Sequence, residues 1–445
     1  MPVHPKCGNT IGVAGHGMAI AMFLLLSGCF GGVEVPSMLR FGGGSPPDVP
    51  AAGGALGPQQ DVNSPLIADL QARRSIVPPT GSYAEVVDAV LAASSGAAAA
   101  ELRVARLRAE ARSKNWLPQI GPNVNLTSLG GLVASLLIEQ AVFDNGRRKA
   151  EREFAAADVE LAAVGLSAEI NSRVYAGLSH YIKAERARAR SAVARNASDR
   201  LAEFEKVMGM RVEGGISDRS EQRVIAQRFA EMRATLDADH QDEATDLAAL
   251  AVLAGRPMHF VRGLDALRTN EKAYDPLSVM QARGEAARAA AEARIQRAGL
   301  LPGLTASAGI GSDGVDTGLR LGGGRLGFGV RADMRALAAT AEMMDRRTAE
   351  AAETANSRSV ALQHQIATLQ SSAVEGAEVL RQTTGNLEMF TEQYKVGRRT
   401  LLELVALYDS HARLEHDLVS LEFDIALLQL ELARDIGGLV DGARL

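Results

Sequence analysis

The stretch "YKVGRRTLLEL", Tyr394 to Leu404, interrupts a helical pattern that continues on both sides. Val396-Gly397 breaks the helix, and Lys395, Arg398 and Arg399 crowd the break. Leu401, Leu402 and the acid Glu403 then restart it. Glycine can take the φ > 0 geometry of a tight helix-to-helix turn, so the break reads as the tip of a hairpin. Downstream, Leu407, His411, Leu414, Leu418, Leu421, Ile425, Leu428 and Leu432 alternate steps of four and three. Upstream, Leu362, Ile366, Leu369, Ala373, Leu380, Leu387 and Tyr394 keep a compatible register. This is the heptad pattern of two antiparallel helices packed as a coiled-coil hairpin. A helix of about 60 residues is ~90 Å long, so such a rod must pack on similar rods along its length.

Moving outward, the chain is written twice. "SYAE" at Ser82 fits a capping box with Glu85, and opens an Ala-rich helix to about Asn115. Leu117-Pro118 stops it, and "IGPNVNLTSLGGLVASLLIEQAVF" reads as two strands with a short loop around Gly130-Gly131. A very long helix follows from about Arg147 to Val207. It breaks at "RVEGGISD" and resumes until Gly255 and Pro257. The second half repeats this order. A helix spans about Pro276 to Arg297 and ends at Leu301-Pro302. Two strand-like segments come next, "GLTASAGIG" and "GLRLGGGRLGFGVRADM". In the second, Leu319, Leu321, Leu326, Phe328, Val330 and Ala332 lie at even separations within their runs, a period of two with one face apolar. A long helix from about Met334 to Tyr394 then leads into the opening stretch. The repeats are 82–257 and 258–445.

The 445 residues are 47% hydrophobic but only 4% aromatic, and Ala dominates, which favours long helices packed closely. Net charge is -5, with cations and acids interleaved on helix faces; this excludes a broad nucleic-acid surface. The cysteines, Cys7 and Cys29, both lie near the N-terminus. Residues 1–28 read as a signal peptide with a short apolar run from Met18 to Leu26, too short for a stable span. "LSGC" at Leu26 to Cys29 resembles a bacterial lipobox, which makes Cys29 the lipidated N-terminus. Phe30 is not the Asp that retains lipoproteins at the inner membrane, so the resemblance implies outer-membrane sorting. Residues 29–81 are Gly- and Pro-rich and read as a flexible tether.

No residue constellation carries chemistry. The GxGxxG matches at Gly309 to Gly314 and Gly322 to Gly327 do not open a helix after a buried strand. His411 and His416 are five residues apart on one helix, on different faces and without companions; His411 at a seam position sets register. Met343 and Met344 read as packing. The expectation is no enzyme, no cofactor and no metal.

The doubled order, "LIEQAVFDNGRRKAE", the stretch from Tyr394 to Gly437 and its weaker partner "VEGGISDRSEQRVIAQRFAEMRATL" together resemble the TolC-like outer-membrane efflux family, from about Ser82 to Gly437. The resemblance implies a mainly α protein with a short β part. Long helical hairpins would form a periplasmic tunnel, and a homotrimer would share a twelve-stranded outer-membrane barrel, four strands per chain. It implies a passive exit duct of a tripartite efflux or type I secretion system. The partners would be a periplasmic adaptor, an inner-membrane pump or ABC transporter, and outer-membrane lipid, with no nucleic acid. The hairpin turns at Val212, Gly214, Val396 and Gly397 would meet the adaptor. Tyr394 and Arg399 match a linking pair with Asp218, and Glu403 matches a pore acid, whereas Ala406 stands where a second acid is expected. Arg399 and Glu403 also fit an ordinary i,i+4 surface pair. A periplasmic coiled-coil lipoprotein without a pore is the alternative; it leaves the two strand pairs unexplained. The cargo (drug, metal ion or secreted protein) stays open.

Overall fold

The computed structural model describes residues 64–126, 132–268, 274–311, 314–324 and 327–444. All of these fall in one compact unit, 50–445; the other unit, 1–49, lies outside them. The signal segment, Cys29, and the loop at Gly130-Gly131 lie outside the described residues. The elements are α1 (Pro65–Ala72), α2 (Ser82–Ala92), α3 (Ala97–Ser113), β1 (Gln119–Leu126), β2 (Leu132–Phe143), α4 (Arg147–Glu213) and α5 (Arg219–Ala254). They continue with α6 (Leu277–Gly299), β3 (Gly303–Gly311), β4 (Gly314–Gly322), α7 (Val330–Lys395), α8 (Leu401–Leu418) and α9 (Leu421–Asp435). The repeat is visible in this order: helix, strand pair, long helix, turn, returning helix. The long helices match in length, 67 residues for α4 and 66 for α7, or about 100 Å each at 1.5 Å per residue.

The two strand pairs join into one antiparallel sheet, ordered β1-β2-β3-β4, so β2 and β3 stitch the repeats together. Its register sorts side chains by period two. One face carries Ile120, Leu136, Ile138, Ile310, Val315, Leu319 and Leu321, interrupted by Gln140 and Thr317. The other carries Gln119, Ser135, Glu139, Thr305, Ser307, Asp316 and Arg320, with Leu137 the apolar exception. A bulge between Ala141 and Phe143 re-aims Phe143 onto the apolar face, opposite Leu304. Leu319 and Leu321 are 72% and 76% exposed, so no described residue covers them.

The structure departs from the sequence reading in several places. Residues 64–77 are folded and not tether: Ile67, Leu70, Ile76 and Val77 are buried in the main core, and 29–63 lie outside the described residues. Arg73, 1% exposed, holds this segment in place. It donates to Asp69 at 2.9 Å, to the Asp275 carbonyl at 2.9 Å and to the Ile436 carbonyl, and its guanidinium stacks on Tyr274. Backbone bonds from Ile76 to Gly438 (2.9 Å) and from Gly442 to Arg73 (3.0 Å) tie it to the C-terminal segment. Second, Ser82 is not an N-cap. Gly81 caps α2 at φ 113, and the carboxylate of Asp265, from the segment between α5 and α6, accepts the Tyr83 N–H at 2.8 Å; a remote acid replaces the local box. The expected single helix is also split at Gly96, which is left-handed. Third, β4 ends at Gly322, so the alternation at Phe328, Val330 and Ala332 is not strand: α7 begins at Val330. Leu326 lies outside the described residues. Fourth, the last helix is interrupted at Val419-Ser420 into α8 and α9.

The C-terminal dock leaves no room for a side chain at Gly442: an added Cβ would lie 2.0 Å from the Leu70 carbonyl oxygen and 2.7 Å from that of Gln71. Backbone cannot swing aside as a side chain does. Gly442→Ala is therefore expected to cost about 1–3 kcal/mol in denaturant unfolding, the range of overpacked sites.

Candidate functional site

At one end of the bundle α4, α5, α7 and α8 close around a second core of Leu201, Phe204, Met208, Ile225, Leu401, Leu404 and Val405. Two turns cover this core, and their geometry is the same. At the end of α4, Gly215 is left-handed (φ 71); its N–H bonds to Val212 O at 3.0 Å and that of Ile216 to Arg211 O at 2.8 Å. At the end of α7, Gly397 is left-handed (φ 74); its N–H bonds to Tyr394 O at 3.0 Å and that of Arg398 to Gln393 O at 2.8 Å. Both are Schellman caps. In each, the third residue after the glycine caps the next helix: Asp218 accepts Ser220 N–H at 3.2 Å, and Thr400 accepts Glu403 N–H at 3.2 Å.

The first turn pivots on Gly215, while Gly214 is right-handed at φ -76. Val212 and Tyr394 occupy the same turn position, and both are half-buried against the second core. Asp218 aligns with Thr400, and Ser217 with Arg399. The tips expose Ile216 at 70% and Val396 at 69%. Ile216 carried no sequence signal beyond its place in "GGIS".

Within one chain, Arg399 does not reach Asp218. It folds over its own hairpin, 4.5 Å from the Phe390 ring, donating to Gln393 Oε1 and to Glu403 Oε1, both at 3.1 Å. Glu403 closes a capping box: its Oε2 accepts the Thr400 N–H at 2.9 Å. That backbone bond, aided by the Thr400 hydroxyl and then by Arg399, holds the carboxyl below its ordinary 4.5. The i,i+4 pair is therefore present, and Glu403 also starts α8.

Deeper in the bundle sits a polar node that the sequence did not disclose. His416 Nε2 lies 2.8 Å from Asp239 Oδ2 on α5 and 3.2 Å from Arg190 Nε on α4. Arg190 Nη2 approaches Asp239 Oδ1 at 3.1 Å as an ion pair without an aligned hydrogen bond. Asp239 is 1% exposed and His416 8%. His416 thus has companions, brought by other helices. His411 meets α7 instead, its Nε2 2.9 Å from Thr384 Oγ1, as a seam residue would. Among the described residues no group of His, Cys, Asp and Glu could hold a metal ion, and no helix is long and apolar enough to cross a membrane.

No protein-family model matches the chain, and no curated protein matches it. Solved structures do. The outer membrane protein VceC of Vibrio cholerae aligns at TM-score 0.69 and 17% identity over 80% of this chain and 97% of its own. The open state of the MtrE outer membrane channel of Neisseria gonorrhoeae aligns at TM-score 0.67 and 15% identity, over 83% and 95%. The CmeC outer membrane channel of Campylobacter jejuni gives 0.67 and 10%, over 80% and 86%. The chain has the fold of the TolC-like outer-membrane channels. In this channel fold the doubled hairpin and the four-stranded sheet belong to one architecture, and the two Schellman turns stand at the end of the bundle away from the sheet.

Proposed function

We propose that the chain is the outer-membrane exit duct of a tripartite efflux or type I secretion system, acting as a homotrimer. One observation carries this reading: a single-layer sheet, apolar on one face and polar on the other, in which no described strand pairs with the outer edge of β1 or β4. A bilayer tolerates no unpaired strand edge, so four strands need neighbours to close. Three copies close a barrel with the apolar face in lipid and the polar face toward water. The helices support the same assembly. Of the 66 residues in α7 only Met344 and Leu362 are buried, while Val360, Val374, Val379 and Met389 are exposed. Such a rod needs neighbouring chains.

The turns at Val212, Gly214 and Gly215 and at Val396 and Gly397 form the periplasmic mouth, where Ile216 and Val396 offer apolar contacts to an adaptor. An inner-membrane pump or ABC transporter supplies energy, and the duct is passive. Cys29 carries the lipid anchor. The test is reconstitution of the full chain in planar bilayers: heat-modifiable trimers with discrete conductance are expected. Monomers without conductance would favour a pore-less coiled-coil lipoprotein. Cys29→Ser is expected to lower electrophoretic mobility, because the uncleaved precursor keeps residues 1–28, and to change membrane fractionation; unchanged mobility refutes the anchor.

Tyr394, Arg399, Asp218 and Glu403 gate the mouth between chains, with Arg399 turning from its own hairpin to the Asp218 of a neighbour. Arg399→Ala is expected to raise single-channel conductance about twofold or more. Glu403→Gln is expected to weaken block by trivalent cations, because a threefold ring of carboxylates concentrates them. Within one chain the Thr400 backbone bond lowers the Glu403 carboxyl, whereas three carboxylates in one ring raise one another. Cation block should therefore weaken as the pH falls and the ring protonates. A block whose pH dependence is unchanged in Glu403→Gln removes Glu403 from the mouth.

A further inference from the structure

The junction between sheet and helices holds a pocket that the duct does not explain. It has a volume of about 340 Å³ and lies between the first turns of α4 and the last turn of α6, lined by Asn145, Lys149, Glu153, Arg294, Arg297 and Leu301. Arg294 is paired with Glu153. Lys149 and Arg297 are exposed, and neither side chain makes a hydrogen bond or ion pair with a described residue. Three cations thus face one acid.

The local backbone adds to the imbalance. The first turn of α4 holds Arg147, Arg148 and Lys149 and no acid, at the end where the helix macrodipole is already positive. Arg147 is paired with Glu151 and Arg148 with Asp144, which leaves Lys149 to face the pocket. A helix would ordinarily put acids here. The arrangement leaves the pocket with an excess of positive charge.

The position says which anion. Asn145 Nδ2 donates to the Pro302 carbonyl at 2.9 Å, so the pocket begins where β2 ends at Phe143 and β3 begins at Gly303. Phe143, on the apolar sheet face through its bulge, is 58% exposed. Trp116, 61% exposed, sits at the same level: its carbonyl accepts from Gln140 at 2.9 Å and from Arg148 at 3.4 Å. Exposed aromatics above cations mark a hydrocarbon–water boundary.

We propose that the pocket between Lys149 and Arg297 binds the phosphate group of a membrane phospholipid, whose acyl chains run along Phe143, Leu304 and Leu321. The phosphate chemistry rests on the pocket itself, whereas the lipid source rests on the membrane reading of the sheet. Both are tested separately. The full chain in detergent is titrated with phosphatidylglycerol and, in parallel, with inorganic phosphate, with bound species read by native mass spectrometry. The wild type is expected to retain phosphatidylglycerol, and Lys149→Ala/Arg297→Ala to weaken it at least about tenfold. A control that loses equal charge elsewhere, Lys206→Ala/Arg381→Ala, is expected to leave it unchanged. Inorganic phosphate should bind far more weakly; equal binding overturns the lipid source. Equal phosphatidylglycerol binding by wild type and the pocket variant, or an equal loss in the control, overturns the site. Flotation with liposomes reports the membrane reading independently. A variant that floats but has lost its bound lipid is the result expected.

Discussion

Arg73→Ala is expected to lower unfolding free energy by about 3–5 kcal/mol, the cost of breaking a buried charged group away from its partners. The arginine is 1% exposed and stands where three chain segments meet: Asp69 before it, Asp275 just before α6 and Ile436 from the end of α9. Its loss would leave the Asp69 carboxylate and two carbonyls without their donor and open a cavity against Tyr274. Urea unfolding should show the loss, and trypsin should release residues before Ser82 from the variant first. Arg73→Lys should recover only part, since an ammonium lacks the planar fork that serves several acceptors at once. Arg346→Ala, on the exposed face of α7, should stay within about 0.5 kcal/mol of wild type. A drop below about 1 kcal/mol for Arg73→Ala would mean that the N-terminal segment is not held by this clamp.

Asp239→Ala should cost a similar amount, about 3–5 kcal/mol, because it strands Arg190 and His416 inside the bundle. Asp239→Asn keeps a hydrogen-bond acceptor and should cost less. Replacing the whole node, with Asp239→Leu, Arg190→Met and His416→Leu together, should recover most of the loss, since an apolar core needs no compensation. Thermal unfolding of the purified chain decides the matter. A triple variant as weak as Asp239→Ala would mean that the node contributes net stability and not only mutual satisfaction.

Much of the channel fold was legible because it is periodic. Heptads place Leu362, Ile366, Leu369, Ala373, Leu380, Leu387 and Tyr394 on one stripe, and each of them is buried or half-buried in α7. Strand β3 follows "GLTASAGIG" from Gly303 to Gly311. Local periodicity failed where a short pattern had two readings. The alternation through Phe328, Val330 and Ala332 continued past Gly322, yet the chain turned into helix there. The S/T-x-x-E pattern occurs at Ser82 and at Thr400. It is realised only at Thr400, where no remote acid competes; at Ser82, Asp265 takes the cap.

The candidate mouth divides in the same way. Gly397 was readable as a turn because only glycine takes its left-handed geometry without strain. The paired role of Gly215, instead of Gly214, needed the backbone, since two adjacent glycines look alike in sequence. His416 and Asp239 are 177 residues apart, and no spacing rule joins them.

By itself the sequence determined the doubled order, the long rods and the two glycine turns, because helix period, turn chemistry and the small-residue bias act over a few residues at a time. The tertiary structure alone decided that β2 pairs with β3 across the repeat and that residues 64–77 belong to the core. It also decided that Arg73 and Asp239 are buried beneath partners and that Lys149 and Arg297 line one pocket without a described partner. Those are consequences of which surfaces come together, and burial and pairing between distant segments leave no period in the chain.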